Sequence, residues 1–186
     1  MLRPSILGRI SQFAREQRGV SAVEFALLAP VMVGLYFGCV EISEGVSADR
    51  KVSLVSAALA NLSAQSMTLS SAEMTNILDA SSAIIVPFSA GLLKMTVTCL
   101  QIDANKNVTV KWSETRNGTK NSGSMTIPPA LAVAKTNLIL AEASYAYTPV
   151  VGYTITGTIT LSDKMYMSPR FAQPPTYNGV TCPVAP

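Results

Sequence analysis

Gly19, Val20 and Glu24 are the residues whose types and spacing carry a definite piece of chemistry. A small residue before a peptide bond suits a narrow peptidase cleft, so the Gly19–Val20 bond is a candidate for hydrolysis. Cutting there leaves a free ammonium on Val20. Glu24 follows four residues later, one helical turn away. The ammonium and the carboxylate then neutralise each other, within one chain or between neighbours. Glu24 needs such a partner, because it is the only charged residue between Ala22 and Val40. These nineteen residues, at about 1.5 Å each, give roughly 28 Å of helix, close to the roughly 30 Å hydrocarbon core of a bilayer. An unpaired charge there costs at least about 2.5–3.5 kcal/mol on insertion scales.

Composition narrows the other chemistry open to the chain, leaving for an enzyme only Asp, Glu, Lys or Ser. The chain has 186 residues and no histidine. That removes Ser-His-Asp and Cys-His nucleophiles and most zinc sites. No constellation for an enzyme, a cofactor or a metal remains. Asp79-Ala80-Ser81-Ser82 faintly resembles a metal-binding Asp-x-Ser-x-Ser, but Ala83 replaces the last serine. Charge is sparse and uneven. Four of the 14 basic side chains, Arg3, Arg9, Arg15 and Arg18, and only one of the 11 acidic ones, Glu16, precede Gly19. The rest of the chain is neutral, which argues against a nucleic-acid partner.

These residues must be positioned by a small number of elements. Residues 1–19 read as a basic leader, with Ile6, Ile10 and Phe13 spaced along one helical face. Unlike a secretory signal, its apolar run follows the cut and is retained. Residues 20–66 read as one long helix whose first half, 22–40, spans the membrane. Pro30 and Gly34 interrupt that half, and Pro30 is expected to kink or loosen the turn before it. In the second half Ala48, Val52, Val55, Leu59 and Leu62 recur at spacings of four and three, an amphipathic stripe for a domain core.

Residues 67–186 read as an α+β domain. Ser70 and Glu73 fit a capping box opening a short helix to about Ala80. Met95–Cys99 and Val108–Trp112 alternate as the two strands of a hairpin about a turn at 104–107, with Trp112 facing inward. Residues 116–124 read as an exposed loop, with Asn117-Gly118 as its turn signal. Leu138–Tyr147 and Ile155–Met167 read as longer strands, and Tyr145, Tyr147, Tyr153 and Tyr166 as sheet-packing aromatics. The Pro-rich tail from Ser168 reads as coil. The expected architecture is a long N-terminal helix packed on an antiparallel sheet of about four strands.

The string Arg18-Gly19-Val20-Ser21-Ala22-Val23-Glu24-Phe25-Ala26-Leu27-Leu28-Ala29-Pro30 resembles the start of TadE-like (TadE/TadG) pseudopilins of the Flp/Tad tight-adherence system. Glycine, glutamate spacing, aromatic Phe25 and basic leader occur together, although the family often has Tyr at the aromatic position. Ser144–Pro149 and Met165–Arg170 support the resemblance more weakly. It implies a pilin-like layout and processing by a prepilin peptidase at Gly19, Val20, Glu24 and Phe25. It also implies a structural role as a minor pilin or pseudopilin, with other pilins, the Tad inner-membrane platform and lipid as partners, in support of pilus assembly and surface adherence. The alternative is an uncleaved single-pass anchor whose periplasmic domain binds a ligand or partner.

The leader arginines favour a cytoplasmic N-terminus in the inner membrane, which puts the C-terminal domain in the periplasm. Cys99 and Cys182 then lie in an oxidising compartment, either as one disulfide or as two buried thiols. A disulfide would close a long loop, contributing about 4 kcal/mol on the loop-entropy model, and tie down the tail. Cys39 lies in the apolar run, facing lipid or another helix.

Overall fold

The apolar run and the amphipathic stripe belong to one helix, α1, which spans Arg18–Ala64. The computed structural model describes residues 18–149, 157–171 and 175–183. The leader face of Ile6, Ile10 and Phe13, together with Tyr153 and Ile155, lies outside the described residues. Ala48, Val52, Val55 and Leu59 are fully buried. Leu62 is only half-buried, and the covered face ends on Ser63 and Ala64 instead. A 3.6-residue repeat drifts around the helix, so the last turn presents positions one and two beyond the expected one.

After β1 (Thr68–Leu69) comes α2, Ser71–Ser82. Its capping box is formed: Ser70 Oγ accepts from the Glu73 amide at 3.2 Å, and Glu73 Oε2 accepts from the Ser70 amide at 2.8 Å. Met74 and Leu78 bury its apolar face. The remaining strands are β2 (Leu93–Ile102), β3 (Val108–Arg116), β4 (Thr136–Tyr147), β5 (Ile159–Met167) and β6 (Thr176–Tyr177).

Four of these make an antiparallel sheet in the order β3-β2-β4-β5. The fold is therefore α+β, with α1 lying across β4 and β5. The face under α1 carries Met95, Val97, Cys99, Ile139, Ala141, Tyr145 and Tyr147 in one core with the α1 stripe. Leu100, Ile102, Val108, Leu138 and Leu140 form a second core on the other face, closed by Ile127 and Leu131. A bulge at Cys99/Leu100 shifts the β2–β3 register between the two.

Four expectations about the strands, the loop and the tail are corrected. Strand β5 starts at Ile159, after Gly157 takes a positive φ of 106°, a conformation outside an extended ladder. The hairpin strands run further than Cys99 and Trp112. The loop after Arg116 also returns to β3: Val110 N donates to Gly123 O and Met125 N donates to Val108 O, which covers that sheet edge. The tail is not all coil. β6 pairs in parallel with β1, matching Thr68 to Thr176 and Leu69 to Tyr177.

Candidate processing segment and domain foot

Gly19 lies in the first turn of α1, and Val20, Glu24 and Phe25 are exposed on the turns that follow. A Cβ added at Gly19 meets nothing within 4 Å. The fold therefore places no steric demand for glycine there, although glycine is a weak helix former. A requirement for a small residue at this position has to come from something that binds the segment. Helix α1 is assigned as continuous through both Pro30 and Gly34. One missing amide donor is a local loss within a long hydrogen-bonded ladder.

The first half of α1 is largely bare among the described residues. Leu27, Leu28, Val31, Met32, Leu35 and Tyr36 are each at least 60% exposed, and Cys39 is exposed and unpaired as a thiol. It is the one helix among the described residues long and apolar enough to cross a membrane. Apolar surface on this scale is stable only when covered by lipid or by other protein.

The change from bare to packed helix comes at Glu41, which is 1% exposed. Sequence reading puts Glu41 among the polar residues that end the span. The structure instead makes it the first buried residue of the domain. The signal was there: positions 41, 45, 48 and 52 keep the four-three-four spacing of the stripe. Gly45 continues this face, with the space of its absent Cβ 3.6 Å from Tyr147 Cε1. Tyr147 is itself buried at the end of β4. Burial raises its phenol pKa, and the nearby charges of Glu44 and Glu41 raise it further.

Residues 19–60 match the family model for TadE-like protein. The chain carries a TadE-like N-terminal segment. No curated protein and no solved structure matches the chain. The TadE-like match starts at Gly19 and runs beyond the membrane-length half into the packed stripe. It therefore covers the candidate processing residues, the domain foot and most of the helical wall of the core. The likeness is confined to this N-terminal segment and does not extend over the sheet.

Beyond the TadE-like segment, the polar contacts gather on the tail. Cys99 and Cys182 form a disulfide. Asn137 Nδ2 donates to Cys182 O at 2.8 Å, and Trp112 Nε1 donates to Pro175 O at 3.0 Å. The Trp112 and Tyr177 rings lie 5.5 Å apart. Tyr177 Oη donates to Glu114 Oε2 at 2.6 Å, and Lys120 Nζ meets the same oxygen at 2.8 Å. Trp112 is thus a core residue that also pins the tail, a second role that strand alternation alone does not reveal. Residues 99 and 182 meet inside the domain, whereas Gly19 to Phe25 stand on the bare half of α1. The structure does not bring the two sets together. Among the described residues no group of three or more His, Cys, Asp or Glu side chains is placed to hold a metal.

Proposed function

We propose that this protein is a minor pilin or pseudopilin of a Tad-type pilus or secretion system, made as an inner-membrane precursor and cut by a prepilin peptidase between Gly19 and Val20. The observation that carries this reading is the TadE-like match beginning at Gly19, on a helix whose first half is bare and apolar. In this reading residues 1–19 stay cytoplasmic and are removed, 22–40 span the bilayer, and 67–186 form the periplasmic domain. Gly19 serves the peptidase cleft, where no contact within the fold asks for it.

After the cut, Val20 carries an ammonium. Glu24 pairs with the Val20 of a neighbouring subunit and sets axial register. Pairing also lowers the cost of moving Glu24 through lipid, because a neutralised pair is less costly to hold in hydrocarbon than a lone carboxylate. Pro30, within the span, lets the helix adjust to its neighbours. The domain supports assembly and surface adherence through its protein contacts.

The test is intact mass and N-terminal sequencing of membrane-extracted protein from cells with and without the prepilin peptidase. The expected mature chain begins at Val20 only when the peptidase is present, and Glu24→Ala loses pilus assembly. A chain that keeps residues 1–19 in the native host would instead identify an uncleaved anchor with a partner-binding domain.

A further inference from the structure

The exposed apolar surface does not stop where α1 meets the domain. Ile42 and Val46 on the helix are 54% and 47% exposed, and Ile159 at the start of β5 is 40% exposed. Together they line an apolar depression of about 280 Å³ over Tyr147. Leu92, also exposed, belongs to the same end of the domain. Leu93, next to Leu92, pairs with Tyr145 near the end of β4. Phe88 packs behind this end, its ring 6.1 Å from those of both Tyr145 and Tyr147.

Height along α1 says what covers this surface. At about 1.5 Å per residue, Ile42 stands about 3 Å beyond Val40 and Val46 about 9 Å. The headgroup region on each side of a bilayer is about 5–7 Å thick. The Ile42 backbone therefore lies within that layer and that of Val46 about 2 Å beyond it, with the Val46 side chain tilted back toward the helix N-terminus and so toward the layer's outer edge. Asp49, on the upper rim of the depression, stands about 13 Å out, in water.

We infer that the domain does not hang free on its helix: its foot is seated at the phospholipid interface, with Ile42 within the headgroup layer and Val46 and Ile159 at its outer edge. Helix and sheet share one lipid-facing surface, which fixes the orientation of the domain relative to the membrane before assembly. The inference rests on the membrane anchorage of the proposed function and not on processing.

The experiment uses the full chain with Cys39→Ser and an intact Cys99–Cys182 disulfide, in vesicles of phosphatidylethanolamine and phosphatidylglycerol. A nitroxide is placed at Ile159→Cys or Val46→Cys, and at two references. Leu28→Cys reports the span, and Val133→Cys reports the far end of the domain, beside the start of β4. Accessibility to oxygen is compared with accessibility to a water-soluble nickel chelate. The expected oxygen-to-nickel ratio at 159 and 46 lies between the references and several-fold above that at 133. A water-like ratio at 159 overturns the inference, even if 46 reads as lipid. So does spin–spin broadening at 159 that unlabelled protein dilutes away, since a second copy then covers the foot. A water-like ratio at position 28 would instead remove the anchorage itself.

Discussion

Glu114 shows how a single side chain holds the tail. Its carboxylate is 20% exposed and takes hydrogen bonds from Lys120, Tyr177 and the Thr115 amide. Burial raises its pKa, but the bonds from Lys120, Tyr177 and Thr115 outweigh burial and leave it below the ordinary 4.5. The partners shift in the matching sense. The bond to Glu114 raises Lys120, and burial followed by that bond raises Tyr177. A carboxyl whose folded pKa is depressed contributes stability above its unfolded pKa and loses it as pH falls through the folded one. The tail contact at Tyr177 is therefore present at neutral pH and weakens below about 4.5. The chain has one tryptophan, Trp112, beside Tyr177, so its fluorescence reports this step. Wild-type emission is expected to change as pH falls through that window, and Glu114→Gln to lack this acid step. An identical pH profile in both proteins would assign the change to another carboxylate.

Helix α1 is one element with two environments, and its phase in the second half decides the core. Leu59 is fully buried, whereas Leu54, five residues earlier, is 58% exposed. Truncating a buried leucine removes transfer energy and leaves a cavity, so Leu59→Ala is expected to lose about 2–5 kcal/mol. Leu54→Ala is expected to stay within about 0.5 kcal/mol. Urea unfolding of the full chain in detergent separates the two, and equal losses would mean that the helix is rotated. Such elements were legible in the sequence because their signals are local. The stripe lies within five turns, the Ser70–Glu73 box within four residues, and the alternation around Cys99 and Trp112 within single strands. What was not legible depends on distant partners. Glu41 reads as the polar end of a span until the sheet is placed beside it. The β1–β6 pair spans only two residues a side and exists because Trp112 and Cys99 hold the tail in place. Gly19, Val20 and Glu24 differ from both groups, since the reading proposed for them rests on spacing alone.

At the scale of the whole molecule, the tail closes one wall of the main core. It joins β1, which follows α1, to Trp112 on β3 and Asn137 at the start of β4. One covalent link fixes that closure, between residues 83 apart. On the loop-entropy model a link of this span stabilises by about 4–5 kcal/mol, within a measured range of about 0–5. Cys99→Ser with Cys182→Ser is therefore expected to lower unfolding stability by several kcal/mol and to raise proteolysis within residues 175–183. The damage should be graded by distance. The four-stranded sheet keeps its own pairings and the α1 stripe, so amide exchange in β2 and β4 should remain slow relative to that in β1 and β6. Trp112 should redden in emission as Pro175 and Tyr177 leave it. If β2 and β4 lost protection together with the tail, the disulfide would be a condition for the whole core and not a clamp on one side of it. The position of Cys99 argues for the clamp: it sits in the middle of a ten-residue strand paired on both sides by β3 and β4, and these pairings do not pass through the tail.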